Sequence, residues 1–217
     1  MRTRETVWPG DTHFSRHAIG SYGRDAWACA LTYLKYKRVF VDAGAHVGHF
    51  VYNAIGVFKE VIAFEPVPTN FKCLEANVFN RQSKIKAKTS TRLFRAAVGD
   101  VEIHKADVWY TDPSNGNNSG AWELSLTENG GQLLETDFLT LDSLRLEVCD
   151  LVKIDTQGWE SRILKGGKAL IEAKKPVLVV EVINENKFNN ALHDELRALK
   201  YQMCAIVQKN GIFRHEG

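Results

Sequence analysis

The chain has 217 residues, 44% of them hydrophobic and 25% charged, and 28 Lys and Arg against 26 Asp and Glu leave a formal net charge of +2. That length suits one domain with a real core, or a domain plus an insertion, and the composition is ordinary for a globular chain. The charge balance argues against nucleic acid or an anionic membrane as the main partner, and no run approaches the roughly 18 apolar residues of a membrane span.

Residues 1–23 are polar and loop-like, with Pro9, Gly10, Gly20 and Gly23. Residues 24–36 read as a helix, because Trp27, Ala30, Leu31 and Leu34 share one face. A buried strand follows at 38–42. A helix at 47–58 turns Val47, Val51, Ala54, Ile55 and Phe58 inward, and a second strand covers 60–65. Pro68 and Thr69 open a helix at 68–80 with Phe71, Leu74 and Val78 on one stripe. Residues 91–98 read as a third strand. The pattern changes at 99–138, which is rich in Gly, Asn, Ser and Thr with Trp109, Tyr110 and Trp122 interspersed. Short antiparallel strands are expected there, with a long loop at 111–121 of the kind that often carries function.

Alternation then resumes. Residues 149–155 form a strand, and 158–173 a helix facing inward with Trp159, Ile163, Leu164 and Leu170. A very apolar strand at 176–183 precedes a helix at 189–200 and a closing hairpin around Lys209-Asn210-Gly211. The expected fold is α/β and doubly wound: a mostly parallel seven-stranded sheet with helices on both faces and a small antiparallel β insertion. One domain is expected over 1–217, with 1–37 as an N-terminal loop and helix and 99–138 as an insertion contributing to the substrate site. Cys29, Cys73, Cys149 and Cys204 have neither metal-binding nor redox spacing, so reduced thiols and a cytoplasmic setting are expected. The N-terminal segment lacks an apolar core of the signal-peptide kind, and the sequon at Asn117-Asn118-Ser119 is read as chance.

The most informative stretch is 38–52, RVFVDAGAHVGHFVY. In doubly wound sheets, ligands bind beyond the carboxyl ends of the strands, and the first strand–turn–helix supplies much of the site. A dinucleotide site needs G-x-G-x-x-G, so that pyrophosphate lies on the helix N-terminus. Here His46 stands at the middle glycine. The spacing is instead Asp42, Gly44, Gly48, in the form D-x-G-x-x-x-G. A carboxylate there suits a ligand ammonium and repels phosphate. Glu65 ends the second strand, where an acid commonly accepts hydrogen bonds from ribose hydroxyls.

That spacing resembles motif I of class I S-adenosylmethionine-dependent methyltransferases. FVDAGAHVGHF, VIAFEPVPTNFKCLEANV, AAVGD, LTLDSL, LVKIDTQGWESRILKGGKALI and KPVLVVEV resemble the successive blocks of the FkbM family of methyltransferases, over about residues 38–183. The Glu-Pro-x-Pro at 65–68 and the Lys-Ile-Asp-x-x-Gly-x-Glu at 153–160 are the most specific parts. The resemblance implies a Rossmann-like class I fold, S-adenosyl-L-methionine as cofactor, and O-methylation of a sugar, glycan or secondary-metabolite hydroxyl. It carries cofactor contacts onto Asp42, Gly44, Ala45, His46, Gly48, Glu65, Pro66, Ala97 and Asp155. The chain departs from common family choices at His46, Gln157 and Trp159.

Methyl transfer to a hydroxyl needs alignment and removal of a proton. Asp42, Asp155 and Glu181 each end a predicted strand, and the order 3-2-1-4-5 brings those strands together. Lys153 shares a strand face with Asp155, which makes it a partner for Asp155 or Glu181. Asp155 is therefore the candidate base or orienting acid, with Lys153 and Glu181 setting its charge; the bland alternative is an ion pair holding strand register. His46 faces the cofactor in this reading, while His49 faces solvent or packs on its helix. Asn118, Ser119, Trp122 and Gln157 are the candidate substrate contacts. No metal site is expected. Competing readings are an NAD(P)-dependent oxidoreductase and a non-catalytic binding module. A nucleic-acid amino-methylating enzyme is unsupported, because Asp155-Thr156-Gln157-Gly158 stands where its motif would be.

Overall fold

The computed structural model describes residues 19–111, 123–128, 130–182 and 190–217. Its main sheet has seven strands: β1 (Val39–Ala43), β2 (Glu60–Phe64), β3 (Ser90–Phe94), β8 (Leu151–Ile154), β9 (Val177–Glu181), β10 (Tyr201–Val207) and β11 (Asn210–His215). Their spatial order is β10-β11-β9-β8-β1-β2-β3. β1 lies centrally, parallel to β2 and β8, and β3 and β9 extend the parallel set. β11 runs antiparallel to β9 and β10, so the sheet is mixed rather than wholly parallel. The last hairpin turns at Gln208-Lys209, since Val207 already pairs with Asn210.

β1 and β8 are buried along their whole length because both faces are covered. On one face lie α1 (Arg24–Thr32), α2 (His49–Ala54) and α3 (Pro68–Ile85). Trp27 of α1 meets Phe40, Phe50 and Phe58 with ring centroids 5.4, 6.1 and 5.9 Å apart, in edge-on and tilted contacts that favour aromatic pairs. The other face is built from Val39, Val41, Val152 and Ile154 against Ile163, Leu164 and Ile171 of α4 (Glu160–Gly166) and α5 (Lys168–Lys174), and Leu192 and Leu196 of α6 (Asn190–Ala198). Among the described residues no helix is long and apolar enough to cross a membrane.

Several element expectations are corrected. Residues 91–98 are not one strand: after Phe94 the exposed Arg95 marks a bend, and β4 (Ala96–Val98) leaves the main sheet. It pairs in parallel with β7 (Gln132–Leu139) in a second, four-stranded sheet, order β4-β7-β5-β6, with β5 (Ile103–Thr111) and β6 (Glu123–Ser125). The insertion's own strands are antiparallel, but β5 and β7 have nine and eight residues and are not short.

The helix expected at 158–173 is two helices. The chain breaks at Gly166-Gly167, where Gly166 lies against the backbone of Gly99. A Cβ on Gly166 would stand 1.9 Å from the Gly99 carbonyl oxygen, a contact the backbone can relieve only by moving. Gly166→Ala should lower stability by about 1–3 kcal/mol or more despite alanine's better helix propensity. Urea denaturation checks this, and a neutral or stabilising effect would show that the two backbones are not packed this closely.

Candidate active site

The cleft opens at the carboxyl ends of β1, β2 and β8 and encloses about 950 Å³, open mouth included. Drug-sized ligands occupy clefts of that order. Its floor is the turn after β1. The Gly44 and Ala45 N–H groups both donate to the Phe64 carbonyl, at 3.1 and 2.9 Å, which pins the turn to the end of β2. Gly44 has φ +83°, and a Cβ there would lie 2.0 Å from the Asp155 carbonyl oxygen. Only glycine lets the turn pass so close to the β8 exit. His46 lines the cleft and takes φ +53°, a region few non-glycine residues adopt. Gly48 is the N-cap of α2 and lies behind the lining residues.

Glu65 locks this turn to the next one. The His46 N–H donates to its Oε2 at 2.9 Å, the Val67 N–H to its Oε1 at 3.0 Å, and Asn70 Nδ2 to Oε1 at 3.4 Å. Burial pushes the Glu65 carboxyl up to about 7, against the pull of those three donors and of Lys153. Pro66, Val67, Ala97 and Val98 form an apolar wall beside it.

Lys153 organises the other half. Its Nζ donates to Asp42 Oδ1 at 3.0 Å and to the Gly44 carbonyl at 2.8 Å, lies 3.6 Å from Asp155 Oδ2, and sits over the Phe50 ring at 5.2 Å. Burial works against this ammonium, but Asp42 and Asp155 outweigh it and hold its pKa above that of an ordinary lysine. Asp42 therefore does not present its carboxylate to the cleft, contrary to the sequence expectation. It is fully buried on the α2 face of β1 and does not line the pocket. The ammonium it meets belongs to the protein. Burial raises Asp42 to about 6, with Lys153 opposing, and its Oδ2 has no hydrogen-bond partner among the described residues.

Lys153 was expected to pair with Asp155 or Glu181, and only Asp155 lies within ion-pair distance. Glu181 instead accepts from Gln157 Nε2 at 2.7 Å, and the same nitrogen lies 3.3 Å from Asp155 Oδ1. Gln157 lines the cleft and bridges the two acids. Burial, and then the Asp155 carboxylate, push the Glu181 carboxyl well above the usual carboxylate range.

The loop after β8 is wrapped around a residue that sequence reasoning left out of the site. The buried Glu160 carboxylate accepts from the Thr156 and Gly158 N–H groups at 3.0–3.2 Å and from the Thr156 hydroxyl at 3.2 Å. Gln157 and Gly158 take positive φ within it. Glu160 was legible, as the last residue of the 153–160 motif. Trp159 also lines the cleft, and its Nε1 donates to the Leu124 carbonyl of β6 at 2.9 Å, so the second sheet closes one side. Tyr22 had no sequence signal. Its ring lines the cleft 5.5 Å from that of His49, and burial, then Asp155 and Glu181, push its hydroxyl up to about 12. His49 is buried and lines the cleft rather than facing solvent, and its Nδ1 accepts the Gly20 N–H at 3.1 Å. Asn118, Ser119 and Trp122, with nearly all of the 111–121 loop, lie outside the described residues.

The structure resembles a methyltransferase FkbM from Methylobacillus flagellatus KT, with TM-score 0.60 and 19% identity over 85% of this chain and 45% of that one. It also resembles magnesium protoporphyrin IX methyltransferase from Synechocystis PCC 6803 with bound SAM, with TM-score 0.52 and 8% identity over 91% and 79%. A third is precorrin-6y C5,15-methyltransferase from Geobacter metallireducens GS-15, with TM-score 0.50 and 13% identity over 96% and 98%. At these identities the likeness is one of fold, and the chain spans less than half of the Methylobacillus protein. A comparison with curated proteins finds no match. The family model for the methyltransferase FkbM domain matches residues 42–203, and the chain belongs to that family.

The raised Glu181 pKa has a signed consequence. Its contribution to stability is complete below the ordinary carboxylate pKa, about 4.3, and is lost as pH rises through the elevated folded value. Glu181→Gln, neutral at every pH, should therefore gain stability relative to the parent as pH rises from about 5 to 9. Urea midpoints at several pH values read this directly, and a pH-independent difference would mean that Glu181 titrates normally.

Proposed function

We propose that this methyltransferase uses S-adenosylmethionine to methylate a hydroxyl of a sugar, glycan or secondary metabolite. The observation that carries this reading is the junction at Glu65. Its carboxylate takes the His46 N–H, one of the turn amides a pyrophosphate would use, and the His46 side chain stands where a dinucleotide turn has its middle glycine. That counts against an NAD(P)-dependent oxidoreductase. A non-catalytic module is disfavoured because Lys153, Asp155 and Glu181 crowd ionisable groups at a cleft, which costs stability and serves chemistry.

The residues present fit the cofactor. The turn at Gly44, Ala45 and His46 lines the cleft and offers it a stretch of backbone for the cofactor to follow. Each Glu65 oxygen retains acceptor capacity for ribose hydroxyls, and Pro66, Val67 and Ala97 offer an apolar wall for a base. When bound, S-adenosylmethionine supplies an electrophilic methyl group on a sulfonium. Asp155, at the cleft end of β8, orients the acceptor hydroxyl and takes its proton. Lys153 gives Asp155 a counter-charge at 3.6 Å, and Glu181, whose carboxyl burial pushes above the usual carboxylate range, positions it through Gln157. The same reading takes 1–217 as one domain, with the 99–138 insertion forming the acceptor side through Leu124. It also places the protein in the cytoplasm, in keeping with free cysteines at 29, 73, 149 and 204.

Two substitutions test the roles. Glu65→Ala should weaken S-adenosylhomocysteine binding by about 1–3 kcal/mol, or roughly 5–150-fold, through loss of hydroxyl partners. Calorimetric titration with NAD in parallel decides the cofactor. An effect below about twofold removes Glu65 from the site, and NAD binding without S-adenosylhomocysteine binding overturns the reading. Asp155→Asn should lower methyl transfer by about 10²–10⁴-fold with little change in cofactor affinity. Unchanged turnover would leave Asp155 a purely structural ion-pair partner.

A further inference from the structure

The near-zero net charge conceals where the charge sits. The parallel strands begin at the sheet edge opposite the cleft, and the segments entering them carry lysines. Lys35 and Lys37 precede β1, Lys59 precedes β2, and Lys86 and Lys88 precede β3; all five are exposed. Backbone hydrogen bonds join these segments directly. The Lys59 N–H donates to the Lys37 carbonyl at 3.2 Å, and the Ser90 N–H donates to the Lys59 carbonyl at 2.8 Å. The Thr89 hydroxyl accepts the Gly56 N–H and donates to the Phe58 carbonyl, each at 2.9 Å, which folds the β3 entry onto the β2 entry. Lysines far apart in sequence thus form one strip along the β1-β2-β3 edge.

The acids within this strip are already engaged. Asp150 holds Arg38 at 2.6 Å, and Glu60 holds Arg92 at 2.7 Å. The exposed Glu147 precedes β8, on the other side of β1. Among the described residues, no acid lies within salt-bridge distance of Lys37, Lys59, Lys86 or Lys88. Two aliphatic side chains project from the same segments, Val57 at 39% exposure and Ile85 at 38%. They neighbour one another across Gly56, whose Cβ position lies 2.9 Å from Ile85 Cδ1.

We propose that this edge docks on an anionic lipid bilayer. Clustered lysines draw a surface to acidic headgroups, and aliphatic side chains among them enter the interfacial layer. Nucleic acid fits the strip less well. Phosphate is best gripped by arginine forks, and both arginines here are committed to carboxylates. The Tyr36 ring, the one aromatic face in the strip, is covered by Arg38 at 4.7 Å and Lys35 at 5.2 Å, which leaves it closed to base stacking. Val57 and Ile85 have no counterpart on a phosphate backbone. Docked this way, the cleft at the opposite edge opens away from the bilayer, towards acceptors in solution. The inference does not depend on the identity of the cofactor or the acceptor.

The test is co-sedimentation of the full chain with phosphatidylcholine vesicles, with and without phosphatidylserine. Binding is expected only to the phosphatidylserine vesicles and should fall steeply with added salt. The combined variant Lys37→Gln, Lys59→Gln, Lys86→Gln and Lys88→Gln should bind about 10²–10³-fold more weakly with an unchanged thermal midpoint. The pair Val57→Ser and Ile85→Ser should weaken vesicle binding on its own. Absence of sedimentation with acidic vesicles, or equal sedimentation with neutral ones, overturns the proposal. So does tighter binding to single-stranded RNA in the same buffer that the serine pair leaves unchanged, which would assign the edge to nucleic acid.

Discussion

The buried ammonium of Lys153 is the point on which the site depends. It reaches Asp42 in β1, the Gly44 carbonyl of the turn after β1, and Asp155 at the exit of β8. A charge so deeply buried is tolerated only because it is paired and hydrogen-bonded on several sides. The arrangement joins neighbouring parallel strands at their carboxyl ends, where the fold leaves its cleft. Without the lysine, the Asp42 carboxylate would be a buried charge with no counter-ion among the described residues. The strand pairing, the glycine turn and the surroundings of Asp155 would all have to adjust together.

Around this cation the chain gathers more acid than it neutralises. Asp42, Glu65 and Glu181 all titrate above their ordinary ranges, and burial is the largest cause in each case. They are kept apart by different devices. Asp42 has a cation. Glu65 has backbone N–H donors from two successive turns. Glu181 has Gln157 as a shared bridge to Asp155. The loop carrying Gln157 is in turn shaped by Glu160, whose carboxylate replaces the partners that a regular element would have given the Thr156 and Gly158 amides. Function and folding are thus coupled through a few carboxylates, Glu65 and Glu160 held mainly by backbone N–H groups and Asp42 and Glu181 by side chains.

Much of this was legible in the sequence. Local periodicity located every strand of the main sheet. The Gly44 turn was readable because only a small set of residues can exit a buried strand that way, and Glu65 because strand ends place acids at the cleft. What escaped depends on long-range packing. Asp42 reads as a ligand acid until Lys153, 111 residues later, is seen to face it on the neighbouring strand. The bend at Arg95 is invisible because Ala96–Val98 are as apolar as any strand continuing in the same sheet. The break at Gly166 follows from the approach of Gly99, which no helical pattern records. Tyr22 enters the cleft from a segment whose composition says only loop. The lysine strip is the same lesson in reverse: lysines scattered along the sequence become one surface once parallel strands bring their starts together.

The most direct measurement is a crystal structure of the chain grown with S-adenosylhomocysteine. Its ribose hydroxyls should lie within hydrogen-bond distance of the Glu65 carboxylate, its amino-acid portion should follow the Gly44–His46 backbone, and Lys153 should still bridge Asp42 and Asp155. A ligand bound elsewhere, or a ligand ammonium seated on Asp42 with Lys153 displaced, would contradict the assignment of the cleft and of the ion pair beneath it.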